Sequence, residues 1–191
     1  MARLARVSPL GVPQHVIRRG NNRQVCFARD KDFGAYIGWL KDYSKKYEVV
    51  WVYTYKRSGT RWEGRYQSCL VEAEDYLLHL YRYIELNPVR AGMVSSPSAY
   101  KWSSYQINGM GRVSELCTPH PLYIAIGHSA KSRQLAYREL FKAPVDGALL
   151  AEIRDAANKG LAVGNENFKK EIEALTGRRM SPAKMGRPPQ D

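Results

Sequence analysis

Residues 48–53, EVVWVY, are mostly β-branched and aromatic and predict a buried strand. Ser58-Gly59 breaks the chain soon afterwards. The segment around that break is basic and aromatic: Lys56, Arg57, Arg61, Trp62, Arg65 and Tyr66. A core strand thus passes almost directly into a cationic surface suited to phosphates. This junction constrains the fold more than any other feature of the chain.

The other elements follow from spacing. QHVIRRG (14–20) predicts a short strand ending at Gly20, and RYQSCLV (65–71) a third strand. In 31–46, Phe33, Tyr36, Ile37 and Leu40 recur at i, i+3, i+4, i+7 and predict a helix with Asp30 as its N-cap. Leu77, Leu80, Tyr81 and Ile84 make the same stripe on a helix from Ala73 to Leu86, stopped by Pro88. Residues 92–130 carry scattered prolines and the NGMG glycines and predict irregular chain. A helix is expected near 131–142. Two more are expected at 146–160 and 165–177, with Asp146 and Asn165 as N-caps and Gly160 and Gly177 as terminators. GLAVGN joins them. The last residues, from Arg178 on, are basic and proline-rich and predict a disordered tail.

Charge narrows the partner. Thirty Lys and Arg against 18 Asp and Glu give a formal net charge of +12 over 191 residues. Such an excess calls for a polyanion. The interleaved aromatics favour nucleic acid over an anionic membrane surface, and no amphipathic basic helix stands out. No apolar run of about 18 residues occurs, so no membrane span is expected. The N-terminus lacks the apolar stretch of a secretory signal. Cys26, Cys69 and Cys117 are odd in number and lack paired metal-site spacing, which fits a reduced, cytoplasmic protein.

YRYIELNPVRAG (81–92) is the sharpest motif. Tyr83 and Asn87 are one helical turn apart and share a face on the flank of the buried stripe. A tyrosine can attack phosphorus when the phosphate is polarised, and an amide oxygen four residues on can assist a divalent cation. A tyrosine on a helix usually serves packing, so spacing alone is a weak signal for chemistry. His79 precedes Tyr83 by four residues, which makes a His79/Tyr83/Asn87 row geometrically possible.

YRYIELNPVRAGMV followed by YKWSSY resembles the signature of REP-associated tyrosine transposases, a bacterial branch of the single-tyrosine HUH transposases. RSGTRWEGRYQSCLVE (57–72), PQHVIRRGNNRQVCF (13–27), TPHPLYIAIGHSAKSRQLAYRELF (118–141) and NKGLAVGNENFKKEIEALTGRR (158–179) are similar to further blocks, in the family's order. The resemblance implies that Tyr83 matches a nucleophile that forms a 5′-phosphotyrosine, and Asn87 a helix-borne metal ligand. It implies Mg²⁺ or Mn²⁺ as cofactor, and DNA hairpins with single-stranded flanks as partner. In the family, a strand returning from a hairpin bears two histidines flanking one hydrophobic residue, and these hold the metal.

This sequence contains no His-x-His; its histidines are His15, His79, His120 and His128. EVVWVY runs almost straight into YKRSGTRW, as if some tens of residues with one strand, one helix and both ligands were deleted. Without imidazoles the phosphate lacks a metal-borne Lewis acid, and tyrosine with its usual pKa of about 10 is a weak nucleophile. Asn87 alone, a neutral ligand, should not retain Mg²⁺ or Mn²⁺. Three other readings stay open: an active tyrosine transposase or single-strand endonuclease acting through Tyr83, a duplex-DNA regulator using the C-terminal helices, and a decayed product with no function.

The expected fold is α+β. It is a truncated ferredoxin-like antiparallel-sheet core lacking one strand and one helix, plus a C-terminal helical extension. The expected organisation is a remnant transposase core at 1–105, an irregular connector and helix at 106–145, a helical hairpin or helix-turn-helix at 146–179, and a basic tail at 180–191. DNA contacts are expected from Arg18, Arg19, Arg23, Lys56, Arg57, Arg61 and Arg65 at strand ends and turns, with Trp62 and Tyr66 placed to stack on unpaired bases. Lys169 and Lys170 on the last helix have acidic neighbours Glu166, Glu171 and Glu173, which disfavours a clean reading helix. Gly186-Arg187-Pro188 resembles the core of a minor-groove hook.

Overall fold

The computed structural model describes residues 7–17, 29–47 and 67–182. Within these the chain is a mixture of helix and sheet, with three strands and eight α-helices. It divides into two compact units. The first gathers residues 7–17, 67–77 and 148–182, and the second residues 29–47 and 78–147.

The first unit is built on a small sheet in the order β1-β2-β3, formed by β1 (Gln14–Ile17), β2 (Gln67–Val71) and β3 (Ala162–Val163). β2 is central, and Ser68 to Val71 are all buried. β1 pairs with it antiparallel, setting His15 opposite Cys69 and Ile17 opposite Gln67. β3 pairs parallel, with Leu70 opposite Ala162. The sheet is therefore mixed, and its third described strand comes from the GLAVGN linker. Gly160, at φ 67°, turns the chain out of α7 (Gly147–Lys159). Leu161 and Val163 carbonyls then accept from Leu70 and Glu72 backbone N–H groups at 3.2 and 2.9 Å. The linker joins the two helices as expected; what is corrected is the expected antiparallel sheet, because β3 adds to β2 in parallel. The expected strand at 48–53 lies outside the described residues.

β3 leads into α8 (Glu166–Thr176), whose start is fixed by Asn165. The Asn165 side chain accepts from the Phe168 N–H at 2.9 Å, as its place before the apolar pattern predicted. Gly177, at φ 64°, closes the helix. Leu70, Ala162, Ile172 and Met180 form the apolar core of this unit, with Val7, Val12 and Phe168 at its margin. Gly164 must lack a side chain, because a Cβ there would stand 2.5 Å from the Phe168 ring and 2.9 Å from Glu72 Cβ.

The second unit holds α1 (Asp30–Tyr47). Asp32 accepts from the Arg29 N–H at 2.9 Å at its start, and Asp30, expected as the N-cap, is its first helical residue. Phe33 is its buried anchor, packed with Tyr36, Ile37, Leu40 and Trp102. α2 (Ala73–Glu85) begins in the first unit and ends in the second. Pro88 does follow its end, yet it sits in the first turn of α3 (Asn87–Arg90), where a missing N–H costs nothing. The stretch expected to be irregular contains a 3₁₀ turn (Pro97–Ala99), α4 (Tyr105–Asn108) and α5 (Pro121–Ala125). α6 (Ala130–Leu140) starts with a reciprocal cap between Ser129 and Ser132. Tyr105, Tyr123, Tyr137 and Phe141 pack edge-on and tilted, with centroids 4.8 to 6.3 Å apart.

Candidate functional site at the Tyr83–Asn87 turn

The second half of α2 is covered more fully than one apolar stripe requires. Leu80, Tyr81, Arg82, Tyr83 and Glu85 are all buried, whereas Ile84 is only partly so. Tyr83 is 6% exposed, so the flank expected to be reachable is closed over. His79 is exposed.

Arg90 draws the tyrosine and the asparagine together. Its guanidinium carbon lies 4.7 Å from the centroid of the Tyr83 ring. The same Nη2 donates to the Tyr83 carbonyl and, at 2.9 Å, to Asn87 Oδ1. This follows from local geometry: α2 ends, α3 restarts around Pro88, and the arginine at the end of α3 folds back over the preceding turn. Arg90 belongs to the phrase YRYIELNPVRAG, but spacing gave it no role.

A divalent cation does not fit this arrangement. The one amide oxygen expected to ligate it faces a fixed positive charge, and among the described residues no imidazole or carboxylate is shown beside it. Among the described residues no group of three or more His, Cys, Asp or Glu could hold a metal ion. His15 is buried on β1, where loss of solvent lowers its pKa to about 4. His120 caps α5, accepting from the Leu122 N–H at 3.2 Å. Cys69 is a buried free thiol and Cys117 a half-buried one, each pushed up to about 12, first by burial.

Glu85 was missed by sequence reasoning. It is fully buried, and its Oε1 accepts from Ser104 Oγ at 2.6 Å and Asn108 Nδ2 at 3.4 Å. Its Oε2 accepts from the Tyr137 hydroxyl at 2.8 Å. Burial pushes the carboxyl up to about 8 against the pull of these hydrogen bonds. Glu85 thus knits the YRYIELNP phrase to the YKWSSY phrase and to α6. Arg82 beside it donates to the Ala143 carbonyl.

The residues expected to bind DNA, Arg18, Arg19, Arg23, Lys56, Arg57, Arg61, Trp62, Arg65 and Tyr66, all lie outside the described residues. So does the Gly186-Arg187-Pro188 segment. On α8, Lys169 is held by Glu166 at 3.2 Å and Glu152 at 3.7 Å, with its side chain 15% exposed. On α1, Lys41 and Lys45 converge on Glu115 at 2.9 and 2.7 Å. No described helix is long and apolar enough to cross a membrane. No family model, curated protein or solved structure matches the chain.

Proposed function

We propose that this chain is a DNA-binding protein descended from REP-associated tyrosine transposases, with a truncated ferredoxin-like core. It recognises hairpin or single-stranded DNA and lacks effective strand cleavage. The observation that supports the loss of cleavage is the engagement of Asn87 Oδ1 by the Arg90 guanidinium, in a chain without His-x-His. A phosphate approaching Tyr83 would find no Lewis acid and a buried phenol with a cation over its ring. Binding rests on the +12 charge and on the basic, aromatic segments flanking the strands.

The duplex-regulator reading is weakened by the two glutamates that occupy Lys169. Competition binding separates the readings. A labelled hairpin with single-stranded flanks should be displaced by unlabelled flanked hairpin and resist an equal excess of blunt duplex. Preferential displacement by duplex, abolished when 146–191 is removed, would transfer the function to the C-terminal helices.

A further inference from the structure

In the second unit, α1, the loop after α3 and the YKWSSY segment enclose an open cleft of about 240 Å³ lined by Arg29, Asp30, Phe33, Met93, Tyr100 and Trp102. Its wall is planar and aromatic. Phe33 stacks on the Trp102 indole with centroids 5.0 Å apart and planes 11° off parallel. Its rim is charged. Arg29 and Asp30 are exposed, and the exposed Lys101 pairs with Asp30 while its ammonium lies 5.2 Å from the Trp102 ring centroid.

We propose that this cleft takes one unpaired nucleobase of a single strand, with Trp102 as the stacking platform. The inference rests on the reading of the chain as a DNA-binding protein and adds a specific base site to it. A purely apolar guest would leave Arg29 and Asp30 beside it, desolvated and poorly matched. A bare anion would meet the Asp30 carboxylate. A nucleobase uses both sets of groups: a flat π-face for the aromatics, ring donors for Asp30, and an attached phosphate for Arg29 and Lys101. Lys101 is long and exposed, so it can swing from the indole to the phosphate as the base enters. The cleft, about 240 Å³, has room for a single heterocycle.

The test uses the full chain with hexathymidylate, with a hairpin bearing a four-nucleotide single-stranded flank, and with the same hairpin made blunt. Hexathymidylate should quench tryptophan fluorescence, and Trp102→Leu should reduce that quench, any remainder coming from Trp62. Trp102→Leu and Arg29→Ala should each weaken flanked-hairpin binding by about fivefold or more, while Trp102→Phe retains most of it. Blunt-hairpin affinity should not move. Thymidine monophosphate as competitor distinguishes the sources: displacement marks a site for free nucleotide, and resistance marks one for a base within a strand. Equal binding of hexathymidylate and flanked hairpin by wild type and all three variants would overturn the base site and leave the DNA-binding reading standing. Trp102-dependent binding of hexathymidylate without hairpin binding would keep the base site and remove the hairpin from the DNA-binding reading. Binding of neither would sink both. If Trp102→Leu fails to melt cooperatively, Arg29→Ala, at an exposed position, decides.

Discussion

Tyr137 donates its phenolic hydroxyl to Glu85 across 2.8 Å, and both side chains are fully buried. The bond joins α6 to the last turn of the helix that carries Tyr83. With its carboxyl pushed up to about 8, Glu85 is mostly protonated at neutral pH. Burial and the Glu85 carboxyl together hold the Tyr137 phenol well above its ordinary range.

The pH dependence of stability follows. Between the ordinary carboxylate pKa of about 4.3 and the folded value of about 8, the folded chain holds a proton that the unfolded chain has released. Buried His15, with its pKa lowered to about 4, contributes the opposite slope up to its ordinary value of about 6.5, so the two offset there; stability should fall by about 1.4 kcal/mol per pH unit from about pH 6.5 to 8 and level off above. Urea melts from pH 6.5 to 9 measure this slope, and Glu85→Gln should flatten it. Glu85→Ala should cost about 3 kcal/mol at pH 6, because Ser104, Asn108 and Tyr137 lose a shared partner in a dry interior. A slope that survives Glu85→Gln would assign the titration elsewhere.

The start of α8 gives a second test. Asn165 caps the helix, and its own N–H and side-chain amide donate to Glu72 at 2.8 and 2.5 Å. Asn165→Ala should cost about 1–2 kcal/mol in denaturant unfolding. Gly164→Ala, with its new methyl driven into Phe168 and Glu72, should cost about 1–3 kcal/mol. If both substitutions are neutral, β3 and α8 do not pack as described.

Local signals carried α8 and not β3. Asn165 and Gly177 announce the ends of the helix within a few residues of its apolar pattern. Ala162 and Val163 are two small residues between glycines, and only the distant β2 makes them a strand. Glu85 was illegible for the same reason. A glutamate near a helix end reads as solvated, and its partners stand in segments that the pattern left irregular or assigned to another helix. Tyr83 and Asn87 were legible as a pair from their one-turn spacing. Their shared partner was not, because Arg90 reaches them only once α3 restarts around Pro88.

The poor fit of a metal at Asn87 predicts that binding is cation-independent. Flanked-hairpin affinity at fixed ionic strength should agree within about twofold in Mn²⁺ and in EDTA, and Asn87→Ala should not change the ratio. A Mn²⁺-dependent gain that Asn87→Ala removes would restore the metal site.

The basic segments predict a salt signature. Arg57→Gln and Arg61→Gln should each weaken hairpin binding across sequences and lower the slope of log K against log salt by roughly 0.7 to 0.9. An unchanged slope would place the phosphate contacts elsewhere.

The loss of cleavage is tested most directly by a denaturing gel. Wild type and Tyr83→Phe are incubated with a labelled flanked hairpin in Mn²⁺ or EDTA, while a native gel on the same preparations confirms binding. The account predicts a native shift with no covalent band under any condition. A Mn²⁺-dependent protein–DNA adduct present in wild type and absent in Tyr83→Phe would contradict it and make this chain an active tyrosine transposase.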